Sequence, residues 1–320
     1  MSLRGASASC VAALCLMALH AMAADPAVQP DGDSTIAPPY TNAPELTVTG
    51  TVPRGTVYQF TMSSTDSKLY PGLTGTYSRD VWVYVPSQYV SGKPAPFIVC
   101  QDGKSYVKRL PPILDNLIFQ GRLPAMIAAM INSGGGDGKG SERGLEYDTV
   151  SDTYARFIET EVLPRIEHDY KVIFTKDPDG RAALGGSSGA ACAFTMAWFR
   201  PDLYRRVLSY SGTFVNQQSP ENPQSPLGAW EYHAHLIPQN PPKPIRVWLE
   251  VGENDNGSTK PEASYHNWVL ANEHMAAALK AKGYHYQFVF AKAAHHVDGK
   301  VLNQTLPTAL LWLWQGYAAQ

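Results

Sequence analysis

RAALGGSSGAACAF, residues Arg181 to Phe194, sets five small residues, Gly185 to Gly189, between a short apolar run and an alanine-rich segment that favours a helix. Glycine and serine also punctuate ordinary loops. Here, however, they fit G-x-S-x-G with Ser187 at the centre. Between a strand and a helix, that pattern makes a sharp turn holding the serine in a strained conformation with its hydroxyl exposed. Bulky side chains do not fit two positions to either side, which accounts for Gly185 and Gly189. The turn also puts the serine at a helix N-terminus, where free N–H groups and the positive end of the dipole face developing negative charge. The backbone N–H of Ser188 is therefore one expected oxyanion donor.

Outward from this turn, apolar runs and helical patterns alternate. RDVWVYVP (Arg79 to Pro86), APFIVCQDG (Ala95 to Gly103), PAMIAAMI (Pro124 to Ile131), YRRVLSYSG (Tyr204 to Gly212), PIRVWLEVG (Pro244 to Gly252) and YQFVFA (Tyr286 to Ala291) read as strands. Helical stretches fall near Leu110 to Phe119, Val150 to Asp169, Trp268 to Lys282 and in the Leu- and Trp-rich terminus. This alternation predicts an α/β fold, a central, mostly parallel twisted sheet flanked by helices. The second oxyanion donor is expected in QDGKSY, at the end of the Ala95 to Gly103 strand, from Gly103 or Lys104.

A serine is a poor nucleophile at neutral pH unless a base takes its proton and a carboxylate orients the base. In the strand-turn-helix context of G-x-S-x-G the chain order is Ser, acid, His. VWLEVGENDNG offers Glu253 and Asp255 directly after a strand, and AKAAHHVDGK offers His295 and His296 after the last strand. Adjacent loop residues point in different directions, so one histidine of the two serves.

The composition, with 44% hydrophobic and 17% charged residues and a formal net charge of -2 over 320 residues, carries no basic surplus for nucleic acid. Arg4, an apolar stretch to about Leu19 and the A-x-A of Ala21-Met22-Ala23 read as a cleavable export signal over residues 1–23, which predicts a periplasmic or secreted protein. No later run is long enough to span a membrane. Residues 24–54, rich in Pro, Thr, Ala and Asp without periodicity, read as an extended leader, and 55–320 as one catalytic domain. Beyond the signal only Cys100 and Cys192 remain; two buried thiols are expected over a disulfide. No metal-ligand spacing involves either.

From about Val57 to Tyr317 the chain resembles the putative esterase family of α/β-hydrolases, which includes enterochelin esterases, feruloyl esterases, esterase D and the mycolyltransferases. The residues that carry the resemblance are QDGKSY, RGLEY (Arg143 to Tyr147), GGSSGA, SYSGTF (Ser209 to Phe214), GENDNG, HHVDG and LPTALLWLW. The family's G-x-x-D form selects Asp255 over Glu253. Its G-H-x-D form, here HHVD with His295 in place of the glycine, selects His296. The resemblance implies carboxylic ester hydrolysis through an acyl-enzyme on Ser187, without metal or organic cofactor.

Two long segments, Asn132 to Asp148 and Asn216 to Pro244, are expected to wall the site. Arg143, Glu146, Tyr147, Trp230 and Tyr232 are their candidates for gripping a sugar or an aromatic acyl group, against loop packing or an Arg143–Glu146 brace. Acyl esters of carbohydrates (feruloyl or acetyl) lead the substrate classes, with siderophore trilactones or acyl transfer by the same three residues as alternatives. A noncatalytic binding protein is disfavoured by the intact order of the three.

Overall fold

A computed structural model describes residues 30–318. The signal-like segment 1–23 lies outside the described residues. The strands are β1 (Gly32–Ile36), β2 (Thr56–Ser63), β3 (Ser78–Val85), β4 (Pro94–Ala95), β5 (Phe97–Gln101), β6 (Ile127–Ile131), β7 (Ile173–Phe174), β8 (Arg181–Gly186), β9 (Arg206–Tyr210), β10 (Arg246–Asn254) and β11 (His285–His295). The helices are α1 (Leu110–Phe119), α2 (Glu142–Tyr147), α3 (Thr153–Phe157), α4 (Leu163–Tyr170), α5 (Ser188–Phe199), α6 (Ile237–Gln239), α7 (Trp268–Ala281) and α8 (Gly299–Leu313).

Nine strands form one sheet in the order β1-β11-β10-β9-β8-β5-β6-β3-β2, while β4 and β7 form a separate parallel pair. Among the described residues, β3 alone runs against the direction of the rest of this sheet, antiparallel to β2 and β6. Every residue of β5, β6, β8 and β9 is buried. Such continuously buried strands follow from parallel pairing with helices on both faces. Alternate side chains divide between two cores. Val99, Ala183 and Leu249 pack with α3, α4, α5 and α7 on one face. Ile98, Leu184 and Trp248 pack with α1 and α8 on the other.

Cys100 belongs to the α1/α8 face and Cys192 to the opposite one, so the sheet separates them and both are free thiols. Winding reverses between β5 and β8: the chain proceeds from β5 to β6 on one side and from β8 through β11 on the other. Such a reversal opens a crevice at the carboxyl ends of the two strands. The Gly103 turn follows β5 and Ser187 follows β8, so both border it.

Two differences from the sequence reading have physical reasons. The segment read as a leader is partly built into the sheet. Gly32–Ile36 pairs in parallel with β11 at the edge, in a polar stretch whose burial does not alternate. Further along, the Ala43 amide donates to the carbonyl of Asn303 at 3.2 Å. That carbonyl has lost its helical partner because Pro307, four residues on inside α8, has no N–H. The stretch read as one helix from Val150 contains a π-helical insertion, Ile158–Val162, just before Pro164, which likewise cannot donate to the preceding turn.

Candidate active site

Ser187 occupies the turn between β8 and α5 with φ 57° and ψ −128°. A non-glycine residue at positive φ is held there by its surroundings at a cost of about 1–3 kcal/mol. A Cβ on Gly185 would meet the carbonyl carbon of Gly189 at 2.2 Å, and one on Gly189 would meet Gln101 Cβ at 2.9 Å. The two glycines let the strand and helix close on each other and on β5, which forces the apex. The Ser187 amide donates to Tyr210 O at 2.9 Å, tying the apex to β9.

The apex places Ser187 Oγ 2.8 Å from His296 Nε2, while His296 Nδ1 lies 2.5 Å from Asp255 Oδ1. Asp255 is buried, and its Oδ1 also accepts the Asn256 amide at 2.6 Å. The Trp268 ring stands edge-on to His296, centroids 6.0 Å apart. Two further groups complete the chain of hydrogen bonds. Trp268 Nε1–H can only donate, and it does so to Thr213 Oγ1 at 3.1 Å. Thr213 Oγ1 lies 3.2 Å from Ser187 Oγ. With the Ser187 hydroxyl donated to the imidazole, Thr213 supplies the hydrogen that Ser187 Oγ accepts.

Glu253 and His295 stand apart from this group. Glu253 is half-exposed, accepts the Ala293 amide at 2.8 Å and pairs with Lys292 at 3.0 Å, which together hold its carboxyl below the usual range. It closes an irregularity in β11, where Ala293 adopts φ 54° and the pairing with β10 shifts register between Gly252 and Asn254. His295 points to solvent, and His296 turns inward.

Ser188, first residue of α5, is fully buried, and its hydroxyl takes Gln217 Nε2 at 3.3 Å. Gln217 also donates to Asp148 at 3.0 Å, whose carboxyl is pushed up to about 6 by burial, against the lowering bonds from Ser188 and Gln217. At the Gly103 turn, the Lys104 amide already donates to Asn132 Oδ1 at 3.0 Å, and the Asp102 amide to Tyr147 Oη at 3.1 Å. Between the two lies Gly103, buried where a Cβ would strike the β6 backbone at 2.3 Å.

A cavity of about 310 Å³ opens onto Ser187 and His296, with Asp102, Tyr106, Arg109, Asp137, Arg143 and Leu302 among its walls. Of the residues expected to grip substrate, only Arg143 reaches it. Its guanidinium forks onto Asp102 at 3.0 and 2.7 Å and meets Asp137 at 2.7 Å, rather than bracing Glu146. The other four are corrected by their burial. Glu146 is sealed against Arg79 through bonds of 2.7 and 2.8 Å. Tyr147 lies beneath the Asp102 turn. Trp230 packs on His233 and Tyr265, and Tyr232 bonds Thr195 at 2.7 Å in the core. The sequence reading did not single out Asp102, Arg109, Asp137, Thr213 or Trp268. Thr213 lies in SYSGTF, but nothing local marks its hydroxyl as a neighbour of Ser187.

Beneath the site, Glu250 of β10 is wholly buried, and neither carboxyl oxygen has a partner among the described residues. Burial first, then the charges of Asp255 and Asp298, raise its pKa well above the usual range. The folded chain therefore retains a proton that the unfolded chain releases above about pH 4.3, so stability is lost as pH rises from there toward the raised value. Glu250→Gln keeps the neutral shape without that proton. Its thermal midpoint should exceed wild type by several degrees, with a gain larger at about pH 8 than at about pH 5. Thermal melts followed by circular dichroism check this; a midpoint at about pH 8 no higher than wild type contradicts it.

Among the described residues no three His, Cys, Asp or Glu side chains gather as a metal site, and no helix is long and apolar enough to cross a membrane. A family model described as Putative esterase matches residues 76–313. No curated protein matches the chain in sequence. Among solved structures, the enterobactin esterase of Shigella flexneri, determined in the presence of enterobactin, aligns with TM-score 0.61 at 20% identity over 82% of this chain and 60% of that one. The ferric enterobactin esterase of Salmonella typhimurium aligns with TM-score 0.59 at 19% identity, over 82% and 59%. The chain thus spans about 60% of the length of these enterobactin esterases. A ferulic acid esterase from Anaeromyces mucronatus, in complex with ferulic acid, aligns with TM-score 0.59 at 16% identity over 85% of this chain and 96% of that one.

Proposed function

The chain belongs to the putative esterase family, and from that premise we propose that it is an exported serine esterase acting on acyl esters of carbohydrates, with residues 55–320 as the catalytic unit. The reading rests above all on one observation, the continuous hydrogen-bonded chain from strained Ser187 through His296 to buried Asp255. In this reading Ser187 Oγ attacks the ester carbonyl as its proton passes to His296 Nε2. The imidazolium, held in its tautomer by Asp255, returns that proton to the departing alcohol, leaving an acyl-serine. Water, deprotonated by the same nitrogen, then attacks the acyl carbonyl and releases the acid and the free serine. The amide of Ser188 and one amide of the Gly103–Lys104 turn receive the oxyanion at each tetrahedral stage, each worth roughly 3–4 kcal/mol. Use of the Lys104 amide requires it to leave Asn132.

The cavity supports a small acyl group attached to a polar alcohol. Tyr106 and Leu302 offer apolar contact near the serine, and Arg109, Asp102 and Asp137 offer hydrogen-bond partners for hydroxyls. Siderophore trilactones remain the alternative substrate class, and acyl transfer the alternative outcome. The test is product analysis with the full chain on acetylated and feruloylated oligosaccharides, a cyclic trilactone and simple p-nitrophenyl esters, with and without an added sugar acceptor. Release of free acid from the oligosaccharide esters at the highest kcat/KM is the expected result. Turnover of none of them, by folded protein, overturns the reading; transfer to the acceptor in place of acid release makes the protein an acyltransferase.

A further inference from the structure

The opposite end of the sheet carries a second cavity, of about 380 Å³, whose walls include Arg205, Arg206, Lys243 and Arg246 with Asp179 as the only carboxylate among the described residues. Arg206 and Arg246 are the first residues of β9 and β10 and pair directly in the sheet. Ser187, Asp255 and His296 follow the other ends of their strands. The nine residues of β10 alone, at about 3.3 Å each, separate the two sites by roughly 25–30 Å.

The cations here are poorly compensated. The Arg206 guanidinium is buried and, among the described residues, its acceptors are all carbonyls: Asp179 O at 2.5 Å, Leu313 O, and Gln315 O at 3.3 Å. Arg246 shares the same Gln315 carbonyl at 3.3 Å and lies over the Trp312 ring, 4.4 Å from its centroid. Its Nε is buried with no acceptor among the described residues. Asp179 is engaged by Arg205 at 2.9 Å, and Asp31, 3.6 Å from Arg246, is held by His285 at 2.7 Å. Desolvation, reinforced by Arg246 beside it and only partly countered by Asp179, lowers Arg206 to about 10.

Two neighbouring guanidiniums, one buried and the other partly so, whose nearest carboxylates are already engaged by Arg205 and His285, are costly unless an anion joins them. Their planar forks fit a bidentate oxyanion. We propose that this cavity binds an oxyanion of carboxylate or phosphate type through Arg246, Arg206 and Lys243, at a site independent of ester turnover.

The experiment is calorimetric titration of the full chain with inorganic phosphate and, separately, with galacturonic acid, at constant ionic strength set by chloride. Saturable one-to-one binding is expected, at least tenfold weaker in Arg246→Gln. Because Arg246 packs on Trp312 inside the sheet end, while the partly exposed Lys243 lies over the Trp198 ring at 4.7 Å, Lys243→Gln serves as the milder variant and should weaken binding severalfold with little change in melting temperature. Whichever anion binds more tightly names the source class. No saturable binding, or binding indifferent to both substitutions, overturns the proposal. So does binding that is abolished by Arg143→Gln, since the anion then sits at Ser187. Because the readout is binding, a failure of the esterase reading leaves this result untouched.

Discussion

Ser187→Ala eliminates covalent labelling by a fluorophosphonate probe and lowers ester turnover by about 10⁴ to 10⁶-fold, whereas Ser188→Ala keeps the label. The two hydroxyls are adjacent in sequence but sit in different surroundings. Ser187 is at positive φ, bonded to His296 Nε2 and open to the cavity. Ser188 is fully buried, and its hydroxyl belongs to the Gln217–Asp148 network. Only the first has both a base and access for a phosphorus centre. Ser188→Ala should cost something, because it removes a partner of Asp148 next to the proposed oxyanion amide, but about tenfold rather than many decades. Peptide mass spectrometry of the labelled protein locates the adduct. A label on Ser188, or none on folded wild-type protein, defeats the assignment.

Much of the architecture is legible in the sequence because it is locally enforced. Runs such as 97–100 and Ile127–Ile131 are apolar without alternation, a signal that both faces are covered. The elbow is legible because Gly185 answers a steric demand set within five residues, by Gly189, although Gly189 itself answers to Gln101 of the neighbouring strand. What the sequence hides depends on distant partners. Glu146 looks like a loop residue available to substrate until Arg79, 67 positions away, closes on it. Trp230 looks equally available until His233, Tyr265 and His274 surround it. β1 is hidden because a polar edge strand such as GDSTI needs only backbone bonds to β11, and backbone bonds leave no residue pattern. Thr213 is hidden for a related reason: its neighbours Ser187 and Trp268 come from elsewhere in the chain and share no spacing with it.

The choice between adjacent histidines is likewise a matter of backbone geometry, and it leads to the second large effect. His296→Ala should lower turnover by about 10⁴ to 10⁶-fold, and Asp255→Asn by about 10⁴-fold, while His295→Ala and Glu253→Gln stay within about tenfold of wild type. The reason lies in the end of β11. Ala293 at positive φ and the register shift against β10 rotate the strand by one position, so His295 faces solvent and His296 faces Ser187. Glu253 holds that irregularity through the Ala293 amide and Lys292, so its loss loosens the approach of His296 without removing a proton acceptor. Asp255→Asn keeps the size of the side chain, but an amide nitrogen facing His296 Nδ1 favours the tautomer with its proton on Nε2, which cannot accept from serine. Single-turnover kinetics with an activated ester resolve the acylation step, where the His296 and Asp255 effects should both appear. A His295 variant as impaired as the His296 variant, or an Asp255→Asn enzyme that acylates at the wild-type rate, would remove the base and the carboxylate from these positions.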